Sequence, residues 1–168
     1  MSPSLTVRRI AADQGATLRE LRAAALREAP YAFEETLEEA LDERIETFDA
    51  VAARHAVSDV STSFVLYTEG HPAGLVSAYF DESCKAFVRG LWVAPAVRHL
   101  RGGELLVNTA DDWLAARGAT KVHAWVTDAN VTAMRFYEHL GFGATGDRAP
   151  VARASLEWES LLERPAQR

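Results

Sequence analysis

Two stretches of this chain carry residues whose types and spacing suit chemistry. The first, Leu91–Leu106, reads LWVAPAVRHLRGGELL: an apolar strand, a proline turn, an Arg/Gly-rich loop and the start of a helix. Gly102 and Gly103 remove side chains where backbone must approach a ligand closely. N–H groups at a helix start lack intrahelical partners and can serve phosphate oxygens, so the layout suits a diphosphate. Arg98 and Arg101 can add charge-assisted contacts. Composition alone equally allows a solvated basic turn that merely starts a helix. The second stretch, Asp128–Phe142, reads DANVTAMRFYEHLGF. Its Ala133, Phe136 and Leu140 share a buried face at helical spacing. Tyr137 carries a phenolic O–H that can donate to developing negative charge. Periodicity alone also allows it to be an aromatic packed at the edge of the core.

Chemistry that draws a proton from a nucleophile needs a base. His123, in the strand TKVHAWV, is a candidate because its reference pKa is near neutral. Alternation puts Val122, Ala124 and Val126 on one face and His123 and Trp125 on the other; a packed histidine satisfied by backbone is the slightly favoured reading. Asp128 either caps a turn or faces substrate. Asp81 and Glu82 fall in a hairpin turn, where solvation suffices. Glu34 and Glu35, beside Tyr31 and Phe33, could wall a cationic acceptor, although acidic surface loops are ordinary. Cys84 has no base near it in sequence and reads as a small buried apolar residue. As the single cysteine, it excludes an intrachain disulfide and any multi-cysteine metal site. The histidines at 55, 71, 99, 123 and 139 have no recognised metal spacing, and no metal is expected.

The elements that must position these groups follow from pattern. Leu5–Ile10 predicts a strand, and Asp13 caps a helix running to about Arg27. Pro30 stops or offsets it. Thr36 and Glu39 have capping-box spacing, and Leu37, Leu41, Ile45, Phe48 and Ala52 then form one apolar stripe, predicting a second helix. Ser61–Thr68, Ala73–Phe80 and Ala86–Val93 predict an antiparallel meander, since their connections are too short for crossovers. A helix over Gly102–Arg117 is followed by a strand at Thr120–Val126 and a helix at Val131–Leu140. Asn130 is the expected N-cap of that last helix and Gly141 its C′ residue. The tail predicts strands at Phe142–Ala144 and roughly Ala152–Trp158, with a frayed ERPAQR end.

This order implies an α/β fold around a mixed sheet. A doubly wound dinucleotide fold is excluded because βαβ alternation starts only late, and neither G-x-G-x-x-G nor a P-loop pattern is present. At 168 residues the chain is expected to be one domain spanning 1–168. The net charge of -6 argues against nucleic acid as a partner. It weakly favours a small cationic substrate, although solubility explains it as well. No apolar run reaches the ~18 residues of a membrane span. The start lacks the pattern of a secretory signal, so a cytoplasmic location is the default expectation.

The two stretches resemble the GNAT superfamily of acetyl-CoA-dependent N-acetyltransferases. Of the family's Val-x-Pro-x-x-Arg-Gly-x-Gly-x-Gly/Ala pattern and the apolar helix after it, Val93, Pro95, Arg98, Gly103 and the Leu105–Leu106 pair match. His99 and Arg101 stand where glycine is typical, and Arg101 puts a side chain where the pyrophosphate normally meets bare backbone. The downstream pattern Asn-x-x-Ala-x-x-Phe/Leu-Tyr-x-x-x-Gly-Phe matches at Asn130, Ala133, Phe136, Tyr137, Gly141 and Phe142. The resemblance implies a mostly antiparallel central sheet with flanking helices and a splayed parallel strand pair. It implies acetyl-CoA as cosubstrate, with its diphosphate at Arg98, His99, Leu100, Arg101, Gly102, Gly103 and Glu104. The pantetheine arm would pair with backbone at Leu91 and Val93, beside Trp92, and face Asn130, Ala133 and Phe136. It implies Tyr137 at the thiol and a primary amine as acceptor, a small molecule being favoured over a peptide or protein. A homodimer is common in the family. The family often places a glutamate on the strand before the loop, and AFVRGLWV has no acid. That gap and Arg101 leave open a noncatalytic acyl-CoA-binding regulatory or structural protein of the same fold.

Overall fold

The computed structural model describes residues 3–30, 35–151 and 156–167. The chain opens with strand β1 (Leu5–Arg9), then helices α1 (Gly15–Glu28), α2 (Leu37–Asp42) and α3 (Ile45–Val57). The meander β2 (Ser61–Thr68), β3 (His71–Phe80) and β4 (Ala86–Val93) follows. A short 3-10 segment, Pro95–Leu100, leads into α4 (Gly102–Ala116), β5 (Lys121–Thr127), α5 (Val131–His139), β6 (Gly143–Pro150) and β7 (Trp158–Pro165).

Two expectations about these elements need correction. Thr36 does cap a helix with the reciprocal Glu39 bonds, but the single helix beyond it is two. Glu43 and Arg44 are both extended, so the chain turns there. The apolar stripe does not run through: Leu41 is 42% exposed, while Phe48 and Ala52 are buried against α1 and the sheet. The tail strands lie later than expected. The zone Ala152–Trp158 falls largely outside the described residues, and the real strand begins at Trp158. Leu161 and Leu162 are buried opposite Trp125 and Ala124, and Arg164, expected in a frayed end, is buried too. Cys84 also departs from expectation, being exposed in the β3–β4 turn with a positive φ.

The seven strands form one sheet in the order β1-β2-β3-β4-β5-β7-β6. All neighbours are antiparallel except β4 and β5. This is a mixed α/β fold with flanking helices, as the element order implied. One face packs α4 and α5 over Leu66, Val76, Val88 and Val122; the other packs α1 and α3 over Val65, Leu75 and Trp92. Alternation along β5 is as expected, with Val122, Ala124 and Val126 buried in the α4/α5 core.

β4 and β5 meet at one register pair, Phe87 with His123. Beyond it they part, since β4 stays zipped to β3 and β5 is held along its whole length by β7. A bulge sharpens the bend of β4: Leu75 faces Trp92 and Ser77 faces Arg89, so Gly90 and Leu91 both oppose Val76. Gly90 takes φ +66, a conformation that suits glycine.

A buried ion pair fastens α4 to the C-terminal strands. Arg164 of β7 donates to Asp111 of α4 at 2.8 and 3.1 Å. It also donates to Asn108 at 3.0 Å and to the Leu140 carbonyl at the end of α5 at 2.8 Å. The second Asp111 oxygen accepts from the Gln167 backbone. The two side chains are 3% and 0% exposed, so removing one strands a buried charge. Asp111→Ala should cost about 3–5 kcal/mol. Guanidinium unfolding of parent and variant measures this, and a difference below about 1 kcal/mol would contradict it.

Candidate functional site

The parting of β4 and β5 opens a cleft of about 1050 Å³. Its β4 wall has a free backbone edge. Ala94 N–H donates to the Ala73 carbonyl, and Leu75 lies opposite Trp92. Antiparallel alternation then turns the N–H group of Val93 away from β3, towards the gap, and the bulge takes Leu91 out of the regular β3 ladder. No β5 residue is paired with them there. This edge can accept an extended ligand as an added strand.

The mouth of the cleft is the first turn of α4. Arg101, its N-cap, makes no side-chain capping bond, and Leu105 is the first residue to bond back, to the Arg101 carbonyl. The N–H groups of Gly102, Gly103 and Glu104 therefore sit at the unpaired, electropositive helix end. The glycines serve packing as well as access. A Cβ on Gly102 would come within 2.5 Å of Leu66 Cδ2, and one on Gly103 within 3.1 Å of the Phe136 ring. Gly103 itself lines the cleft.

Of the sequence-predicted cofactor residues, Leu91, Trp92, Val93, Arg98 and Gly103 line this cleft from one side. Asn130, Ala133, Phe136 and Tyr137 line it from α5. Asn130 also caps α5 by accepting from Ala133 N–H at 3.1 Å. His99, Leu100 and Arg101 in the adjoining loop, and Gly102 and Glu104 in the first turn of α4, stand beside the cleft but do not line it. Arg101 is left-handed (φ 63), which explains the glycine preference at that place in the resembled pattern. Its guanidinium turns to Glu104 at 2.7 Å and stays largely exposed.

Arg98 is not a free phosphate ligand here. Its Nε donates to the Val93 carbonyl at 2.9 Å, and its Nη2 to Glu28 at 2.6 Å. Glu28 also accepts from the Trp92 indole at 3.0 Å. The bond from Arg98 holds the Glu28 carboxyl below its ordinary range, against the effect of burial. Glu28 thus ties the end of α1 to the loop, a role that nothing in its local sequence signals.

Tyr137 is buried in the cleft wall, held edge-on between Phe136 and Phe142 with ring centroids 5.2 and 5.1 Å away. Burial raises its phenol above the ordinary value, so the O–H stays protonated and available as a donor. His123, by contrast, is not brought to Tyr137. It sits at the closed end of the split, where its Nδ1 is 3.0 Å from the Ala86 carbonyl and its Nε2 is 3.1 Å from Glu163. It lines a separate small cavity beside Cys84 and Lys121. The catalytic assignment of His123 is therefore corrected: both ring nitrogens are engaged, away from the cleft. Asp128 is likewise structural, bonded to Ser160 and Arg148. Glu35 lines the cleft but pairs with Arg22 at 2.8 Å, and Tyr31, Phe33 and Glu34 lie outside the described residues.

The far side of the cleft holds residues that sequence reasoning did not single out. His55 of α3 is buried, with Nδ1 2.9 Å from Ser63 Oγ, which lies 2.8 Å from Ser77 Oγ. Burial first, and then Arg54, Arg89 and Arg9, push His55 down to about 4. Strand alternation could have put Ser63 and Ser77 on the α3 face. The pairing with His55 depends on how α3 docks and has no local signal. Among the described residues no three His, Cys, Asp or Glu side chains are placed to hold a metal ion, and no helix is long and apolar enough to cross a membrane.

The profile of the acetyltransferase (GNAT) family matches residues 18–142. No curated protein matches the sequence. Among solved structures, the chain is similar to an acetyltransferase of the GNAT family from Streptococcus pneumoniae, at 18% identity and TM-score 0.82, over 98% of this chain and 100% of that one. It is similar to spermidine N-acetyltransferase from Vibrio cholerae, solved with CoA and spermine, at 17% identity and TM-score 0.76, over 96% and 95% of the two chains. Nourseothricin acetyltransferase matches at 26% identity and TM-score 0.58, over 64% of this chain and 66% of that one.

Two outcomes follow from this geometry. Arg101→Gly should leave the affinity for coenzyme A within about threefold, because the guanidinium is engaged by Glu104 outside the cleft. A tenfold loss in calorimetry, about 1.4 kcal/mol, would make Arg101 a phosphate ligand instead. The second outcome concerns pH. An unfolded histidine titrates near 6.5 and folded His55 near 4, so the unfolded state binds more protons between those values. Stability must fall as pH drops through that window. Urea unfolding at about pH 7 and about pH 4.5 should show a larger loss for the parent than for His55→Asn. Equal losses would contradict the buried, neutral state.

Proposed function

The chain belongs to the acetyltransferase (GNAT) family, and from that premise we propose that it transfers the acetyl group of acetyl-CoA to a primary amine by direct attack on the thioester. One observation carries this reading: the free N–H edge of β4, the unpaired first turn of α4 and Tyr137 all converge on one cleft. The residues present suit the cosubstrate. The α4 N–H groups suit a diphosphate, and the Leu91 and Val93 amides suit a pantetheine arm lying along the strand. Bound there, acetyl-CoA supplies an acetyl thioester and a thiolate leaving group.

The chain's own groups then have distinct tasks. The amide near Val93 donates to the negative charge that develops on the acetyl oxygen. Tyr137 donates its proton towards the sulfur as the thiolate leaves. Cys84 takes no part, lying on the far turn. A small cationic amine suits the acceptor side. Glu157 and Glu159 of the C-terminal segment face the cleft with the half-exposed Trp125, and the chain's net charge of -6 favours cations in its surroundings. The spermidine and nourseothricin acetyltransferases among its structural relatives support a small-molecule amine over a peptide.

The test is CoA-thiol release from acetyl-CoA with spermidine, nourseothricin, lysine and a peptide with a free N-terminus, against a control without acceptor. Acceptor-dependent release is expected, greatest with a small amine. Coenzyme A binding with no release from any amine would favour a noncatalytic protein of this fold. Tyr137→Phe should lower kcat by about a hundredfold while leaving the KM for acetyl-CoA nearly unchanged. Turnover equal to the parent would remove Tyr137 from the thiol-handling role.

A further inference from the structure

An amine that attacks a carbonyl must shed a proton, and the β4 wall offers no acid to take it, while His123 is engaged at the closed end of the split. The opposite wall holds a hydrogen-bonded chain that no other feature of the site uses. We propose that Ser77, Ser63 and His55 form a proton relay that draws the proton from the attacking nitrogen. The proposal rests on the transferase reading above.

The chain is built by the sheet. Ser63 of β2 and Ser77 of β3 are direct register partners, which brings their hydroxyls to 2.8 Å. α3 covers this face and sets His55 Nδ1 2.9 Å from Ser63. Ser77 is also the register partner of Arg89, immediately before the Gly90–Leu91 bulge. It therefore stands one strand away from the amide edge where the thioester carbonyl would lie. All three residues line the main cleft. Burial grades along the chain: His55 and Ser63 are buried, while Ser77 is half-buried. The open end is thus the serine nearest the amide edge.

One orientation of the hydroxyls makes the chain a proton acceptor. Ser63 donates to Nδ1 and Ser77 donates to Ser63, which leaves a Ser77 lone pair facing the cleft. As the carbon–nitrogen bond forms, the nitrogen loses a proton to Ser77 Oγ. Ser77 passes its own proton to Ser63, and Ser63 passes its own to Nδ1. The imidazolium so formed loses its Nε2 proton to water; a water-mediated shift of the remaining ring proton from Nδ1 to Nε2, with reversal of the hydroxyls, restores the start. Net, one proton moves from the amine to solvent and no electrons change hands. The groups bearing on His55 are Arg54 of its own helix, Arg89 of β4 and Arg9 of β1. Burial first, and then these three cations, disfavour the imidazolium, so the ring passes the proton on instead of storing it. Ser63 alone would satisfy a buried histidine, so Ser77 is the residue whose loss separates relay from support.

The experiment uses the full chain. In the protein without acetyl-CoA, nitrogen NMR should find His55 neutral with Nε2 protonated and Nδ1 accepting, and Ser77→Ala should move the Nδ1 signal. In thiol release with the panel amine that the parent turns over fastest, Ser77→Ala should lose about tenfold or more in kcat, with KM for acetyl-CoA held. His55→Ala should lose at least as much and recover with added imidazole, in proportion to the neutral form of the imidazole. Ser77→Ala turning over within about twofold of the parent would overturn the relay, as would an Nδ1 signal indifferent to Ser77. A parent chain that releases no thiol with any amine would bring down the transferase reading itself, and the relay with it.

Discussion

The Asp111–Arg164 ion pair is the constraint on which the rest of the architecture hangs. Two charges with almost no access to water are tolerable only if each is held by the other and by further hydrogen bonds. Arg164 meets that demand by engaging α4 through Asp111 and Asn108, and the end of α5 through the Leu140 carbonyl. It also lies over the Phe142 ring, 4.8 Å from its centroid. The helix that opens the phosphate-suited loop, the helix that carries Tyr137 and the strand that flanks β5 are thus fastened at one point. β7 is zipped along β5 from Lys121 to Thr127, on the edge away from β4. The split that exposes the Leu91 and Val93 amides opens beyond the Phe87–His123 pair, where the bulge bends β4.

Much of this was legible from local pattern. The meander, the α4 and α5 helices and the Asn130 cap followed from alternation, helical period and capping chemistry, all of which are local. That Leu91, Val93, Gly103, Asn130 and Tyr137 line one cleft follows from the same local pattern, since they occupy two short contiguous stretches. What failed to show depended on contacts distant in sequence. Arg164 sat in a segment that composition reads as frayed, and its partners Asp111, Asn108 and the Leu140 carbonyl all lie far from it in sequence. The break at Glu43–Arg44 carries no glycine or proline, and reflects how α3 docks on α1.

His123 and His55 make the same point in opposite directions. His123 looked chemical because it sits in a central strand, yet alternation and strand order deliver it to the closed end, where backbone and Glu163 engage both nitrogens. His55 gave no signal because its meaning comes from two serines on neighbouring strands. Glu28 is similar: an ordinary helix-end acid becomes a clamp on Arg98 and Trp92 only in the folded chain. Residues on the far side of the cleft are drawn from α1, α3, β2, β3 and β7, so no contiguous motif could reveal them.

The central claim is that the split between β4 and β5, with the first turn of α4 at its mouth, is the seat of the cosubstrate. The most direct measurement is a titration of the amide-labelled protein with coenzyme A, followed by NMR. The account predicts that the backbone amides of Leu91, Val93, Gly102, Gly103 and Glu104 shift together at a common saturation, while the His123 amide at the closed end stays in place. Saturable binding that leaves those five amides unmoved would contradict it.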